Sequence, residues 1–231
     1  MKALTWLATI LLSTTIGTAV ADELPESWDG LIEVKAKKMD AAYLLPGADF
    51  RPYTKVIVDP TQVAFRKDWI RSQNDNRDLS RKVSQEDADK ILAAARSNFD
   101  DVFAEAFTKA GYAVVTAPGP DVLRISTAVV NLYVNAPDVM AAGRSYSFTT
   151  EAGEATLVIE TRDSQTGALL GRVLDRRETR GTGSMQMTTS ATNVSEFRSL
   201  FKQWAGITVK GLDELKAHSP VPEDLQPKQK L

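Results

Sequence analysis

The 231-residue chain has no cysteine, which excludes disulfides, thiol catalysis, thiolate zinc sites, iron–sulfur clusters and thioether-linked haem. Histidine is almost as scarce, with His218 the only one. It lies where the last helix is expected to meet a proline-rich tail, a poor place for a buried general base. A helix C-terminus also favours a protonated imidazole through its dipole alone. No cofactor and no metal are implied. Surplus positive charge is missing too, since 28 Lys and Arg face 30 Asp and Glu for a net charge of −2. Nucleic acid and anionic lipid both need a basic footprint, so neither is an expected main partner. No internal repeat is visible, and no glycine-rich phosphate loop follows a strand.

What is present suits one folded domain. The chain is 43% hydrophobic and 25% charged, and a fold of this size buries roughly 70–75% of its unfolded surface. Met1-Lys2 is followed by a stretch from Ala3 to Val20 without charge, which closes with Ala19-Val20-Ala21 before Asp22. A basic start, an apolar middle and small residues at the cut describe a secretory signal peptide. The apolar block Leu4 to Leu12 is short for a membrane span, which needs about 20 apolar residues. Cleavage after Ala21 is therefore expected, giving an exported, periplasmic product. No cysteine stands at the cut to be lipidated, so no stable membrane anchor is expected after cleavage.

Along the mature chain, Asp22 to Lys38 reads as an irregular lead-in containing Asp29-Gly30. Ala41 to Leu45 suggests a strand, and Tyr53 to Phe65 a longer one that Pro60 must interrupt at an edge or bulge. Arg71 to Lys82 is polar and aperiodic and reads as a loop. Ser84 is placed to cap a long amphipathic helix to Ala110, with apolar residues at steps of three and four from Ala88 to Phe107 and a Gly111 stop. Tyr112 to Val115 and Val122 to Val134 read as strands. Glu154 to Arg162 and Ala168 to Thr179 flank a hairpin turn at Asp163–Gly167. A second helix is expected from Ser195, carrying Phe197, Leu200, Phe201, Trp204 and Leu212, with Gly206 and Gly211 each weakening it by about 1 kcal/mol.

Several segments resemble a known family. They are Leu24 to Leu31, Leu44 to Phe50, Val58 to Phe65, Gly153 to Thr156, Arg162 to Gly167 and Asp175 to Arg177. Together they are similar to the bacterial envelope family of domain of unknown function 3313, over most of the mature chain. Many members of that family look like lipoproteins, and this chain lacks the cysteine that lipidation needs. The resemblance implies an envelope setting and brings no activity, substrate or catalytic residue.

Candidate chemistry is sparse. Carboxylate pairs can hydrolyse glycosides, but Asp100-Asp101 read as a solvated helix face, and Glu151 and Glu154 as a loop mouth. Glu160 is placed to face Arg172 across the hairpin, an ion pair of about 0.2–1 kcal/mol. Arg172, Arg176, Glu178 and Arg180 share one strand face if alternation holds, either as a docking patch for an acidic partner or as a solvated face neutralised by acids. The loop Asn135 to Gly153, with Met140, Arg144, Tyr146 and Phe148, is long enough to be functional and suits a contact surface. Arg144, Tyr146, Phe148, Arg172, Arg176 and Arg180 are thus the candidate partner-binding residues.

The expected architecture is α+β, with a mixed, largely antiparallel sheet covered by two amphipathic helices. Residues 1–21 form the signal peptide, 22–218 a single domain and 219–231 a flexible C-terminal tail. The leading expectation is a non-enzymatic, soluble periplasmic protein that binds an envelope protein or glycan. A carboxylate-based envelope hydrolase and a carrier of a small apolar ligand held between sheet and helices are the alternatives.

Overall fold

The computed structural model describes residues 24–75, 77, 82–133, 148–149, 154–178, 186–187 and 190–231. In chain order the elements are β1 (Ser27–Trp28), β2 (Leu31–Val34), β3 (Ala41–Leu44), β4 (Lys55–Val58), β5 (Gln62–Phe65), α1 (Trp69–Asn74) and α2 (Gln85–Lys109). They continue as β6 (Ala113–Val114), β7 (Val122–Tyr133), β8 (Phe148–Thr149), β9 (Glu154–Asp163), β10 (Leu169–Glu178), β11 (Gln186–Met187) and α3 (Ser190–Ala217). Residues 1–21, where the signal peptide is expected, lie outside the described residues.

The fold is α+β. Nine strands form one mixed sheet in the order β1-β2-β3-β10-β9-β7-β4-β6, with β5 also paired to β7, and β8 with β11 makes a separate two-stranded pair. Antiparallel pairing dominates, and among the described strands β4–β6, β4–β7 and β5–β7 are the pairs that run parallel. The parallel step from β4 through α2 to β6 is the crossover that a helix of this length permits. Pro60 splits the 53–65 strand into β4 and β5. The break is held by Asp100 on α2, whose carboxylate accepts from the Thr61 amide at 3.0 Å. Asp100 is therefore not part of a merely solvated face, while its neighbour Asp101 is exposed.

Helices α2 and α3 pack together over one face of the sheet. Ser84 caps α2 in a reciprocal box with Asp87, and Phe99, Val102, Phe103 and Phe107 are buried below it. Phe201, Trp204, Ala205 and Leu212 supply the inner side of α3, with Phe99 edge-on to Phe201 at 5.1 Å.

Three segments differ from expectation. The lead-in is a hairpin: Asp29 (φ 55°) and Gly30 (φ 82°) are both left-handed, as a two-residue type I′ turn requires, and Asp-Gly is a preferred pair there. Part of the polar 71–82 stretch is the short helix α1, anchored by buried Trp69 stacked on Phe65 at 3.7 Å. The 219–231 tail is docked rather than flexible. Val221 and Leu225 are only 2% and 5% exposed, Val221 exchanges backbone hydrogen bonds with Gly47 and Ala48, and Lys228 and Gln229 do so with Glu33 and Lys35. Two apolar side chains spaced four apart amid prolines were enough to join the core.

Candidate functional site

Alternation along the strands sorts the sheet into two faces. The face away from α2 and α3 carries a polar row across five strands. Register places Glu33 beside Tyr43, Tyr43 beside Arg172, Arg172 beside Glu160 and Glu160 beside Ser126. Ser126 then donates to Asp59 at 2.7 Å, and Arg124 pairs with the same carboxylate at 2.8 Å.

Arg172 is the centre of this row. Its side chain is 8% exposed, bonded to Glu160 at 2.6 Å and to Asp29 at 2.8 Å, and roofed by the Trp28 ring at 4.0 Å. The type I′ hairpin is what carries Asp29 and Trp28 to it. Burial pushes the Glu160 carboxyl up, but hydrogen bonds from Arg172 and Arg162 outweigh that and hold it below the usual range. Burial, then the Glu33 charge, pushes the Tyr43 hydroxyl up. The expected Glu160–Arg172 pair is thus present, but Arg172 is not offered to a partner, because burial and three internal contacts occupy it. Arg176 is exposed and pairs with Glu154 at 2.9 Å. Phe148 lies in β8, its backbone paired with Met187. Arg144, Tyr146 and Arg180 lie outside the described residues.

The carboxylates of Glu154 and Asp163, at the two ends of β9, do not converge. Asp163 Oδ1 accepts from the amides of Gln165 and Thr166, closing the hairpin turn at Gly167, and its Oδ2 accepts from the Tyr53 hydroxyl. These bonds from Thr166, Tyr53 and Gln165 hold the Asp163 carboxyl below the usual range. Glu154 begins the same strand that Asp163 ends, a separation of roughly 30 Å at about 3.3 Å per residue. Paired glycosidase carboxyls stand about 5–9.5 Å apart, so these two cannot act on one bond.

On the covered face, between the sheet and the C-terminal half of α3, lies a cavity of about 200 Å³. Its floor is Val34, Ala42, Leu44, Ile125, Ile159 and Val173, and its roof is Ile207, Gly211, Leu212 and Leu215. Gly211 explains part of the space, since a Cβ there would meet nothing within 4 Å. Two threonine hydroxyls reach the wall, and both turn back to the backbone: Thr208 donates to Trp204 O at 2.8 Å and Thr161 to Gly171 O at 3.4 Å. The docked tail closes one end through Leu231. The mouth is polar, with exposed Lys35, Lys37, Lys38, Lys210, Glu214 and His218. Lys37 spans it to Glu214 at 2.9 Å, a bond that together with Lys38 and His218 holds the Glu214 carboxyl below its usual range.

Sequence reading offered an apolar site between sheet and helices only as an alternative and named none of its residues, because the walls come from five strands and a helix far apart in the chain. The one local signal was the pair of glycines in an otherwise good helix. Beside the buried network around Arg172 stands a second internal anchor, Asp175. It is 1% exposed and takes hydrogen bonds from Trp204 Nε1 and Arg177 Nε, both at 2.6 Å, fixing α3 to β10.

Among the described residues, no helix is long and apolar enough to cross a membrane. No curated protein matches the chain. Solved structures similar to it include a PelC dodecamer from Paraburkholderia phytofirmans, at 14% identity and TM-score 0.36, over 72% of this chain and 94% of that one. A DUF330 protein from Xanthomonas campestris is similar at 14% identity and TM-score 0.36, over 73% and 90%. A DUF4136 family protein from Bacteroides thetaiotaomicron follows at 13% identity and TM-score 0.30, over 78% and 99%. A family model matches residues 21–207, and the chain belongs to the family described as Protein of unknown function (DUF3313).

Proposed function

We propose that this is an exported, non-enzymatic binding protein that holds the apolar part of a small molecule in the cavity between α3 and the sheet. The cavity itself carries the reading. It has about 200 Å³ of space, whereas an apolar cavity of about 150 Å³ already admits a benzene-sized ligand. The threonine hydroxyls on its walls are both used by the backbone, and the Tyr43 and Arg172 side chains alternate to the opposite face of the sheet. Water there would forgo bonds that bulk solvent offers, so an apolar occupant is favoured. The signal-like pattern read in residues 1–21 supports an envelope setting. Docking of a protein partner through the arginine strand has less behind it, since Arg172 is engaged internally and Arg176 is held by Glu154.

Titration with the neutral fluorophore N-phenyl-1-naphthylamine tests the reading. Saturable binding near one site per chain is expected in the parent protein. It should be lost in Ala42→Phe, which places a ring in the cavity floor, with far-UV circular dichroism unchanged. Binding that never saturates, or that Ala42→Phe leaves intact, would refute it.

A further inference from the structure

We infer that the natural ligand is a single-chain amphiphile with an anionic, carboxylate-type head, its chain inside the cavity and its head among the mouth lysines. This rests on the cavity reading and adds the chemistry of the head. The interior offers little that is polar to a ligand: the hydroxyls of Thr161 and Thr208 are committed, Tyr43 and Arg172 border the cavity from strand positions whose side chains belong to the opposite sheet face, and the other side chains deep in the wall are aliphatic or aromatic. A polar group on the ligand must therefore sit at the mouth, because burying it unpaired is costly. The mouth is built from cations. Four lysines stand there against the single carboxylate of Glu214, and that carboxylate is already taken by Lys37. Among the described residues, no salt bridge within 4 Å engages Lys35, Lys38 or Lys210. These three come from both sides of the opening, two from the segment joining β2 to β3 and one from α3.

The size of the cavity limits the ligand to one chain. Met39 in its lining is unbranched and adapts its rotamer to the shape of an occupant. Each exposed lysine contributes modestly to holding a carboxylate. Three together are expected to favour an anionic head over an uncharged one by about tenfold.

Displacement of N-phenyl-1-naphthylamine by octanoate, octan-1-ol and octyltrimethylammonium tests the head. Octanoate should displace the fluorophore about tenfold more effectively than octan-1-ol, and the cationic analogue should be the weakest. The octanoate advantage should shrink as salt rises from 20 to about 500 mM, because exposed charges are screened. In Lys38→Gln/Lys210→Gln the advantage, read as the ratio of octanoate to octan-1-ol displacement within that variant, should fall to about threefold or less. Equal displacement by all three compounds would overturn the anionic head and leave the cavity reading standing. Failure of the fluorophore itself to bind would overturn both.

Discussion

Replacing Arg172 with Met keeps the aliphatic stem under Trp28 and removes the guanidinium from the polar row. Three interactions disappear with it: the 2.6 Å bond to Glu160, the 2.8 Å bond to Asp29 and the stacking on Trp28 at 4.0 Å. Breaking a buried pair by deleting one partner costs about 3–5 kcal/mol when the other charge is left alone. Here Glu160 is 14% exposed but keeps Arg162 at 2.9 Å, and Asp29 is solvated. The expected loss for Arg172→Met is therefore about 2–3 kcal/mol at pH 7. The pH dependence follows from Glu160, whose folded pKa is depressed. Stability from a depressed carboxylate is fully present above its unfolded pKa of about 4.3 and is lost as pH falls through the folded value. The gap between parent and Arg172→Met should thus be constant from pH 7 to about 5 and narrow below about pH 4. Urea unfolding followed by circular dichroism at both ends of that range measures it. A loss under about 0.5 kcal/mol at pH 7 would place Arg172 with ordinary surface charges. A gap that does not narrow in acid would also refute the reasoning.

Other outcomes follow from the same geometry. Gly211→Ala should raise stability by about 1 kcal/mol, because a helical glycine is unfavourable and the new Cβ meets nothing within 4 Å; thermal unfolding reads this. Asp100→Ala should cost about 1.5 kcal/mol by leaving the Thr61 amide without its charged acceptor, measured by urea titration. Leu225→Ala should cost about 2–3 kcal/mol because the tail is docked in the core, whereas a free tail would give no change. Glu154→Gln and Asp163→Asn should leave peptidoglycan and polysaccharide turnover at background, assayed by release of reducing ends.

The regular parts of the fold were legible because their signals are local. The stripe from Ala88 to Phe107 and the Ser84 cap defined α2, Pro60 marked a strand break, and Asp163–Gly167 marked a hairpin, whose facing residues Glu160 and Arg172 do pair. Asp29-Gly30 carried an equally local hairpin signal, hidden because its strands are only two and four residues long. What local pattern cannot state is which side of a strand is covered and by what. Arg172 looked like surface charge until Trp28, 144 residues earlier in the chain, closed over it. Val221 and Leu225 looked like a tail because their binding seat is made by residues near Ala48. The cavity was invisible for the same reason, since its walls meet only in three dimensions.

The most direct test of the cavity as the binding site is a methyl-labelled NMR titration of residues 22–231 with octanoate. Shift changes should be confined to the floor and roof methyls of Val34, Ile125, Ile159, Val173, Ile207 and Leu212, and should saturate together. Changes centred instead on Val158 and Leu174 of the opposite sheet face, or no saturable change anywhere, would contradict it.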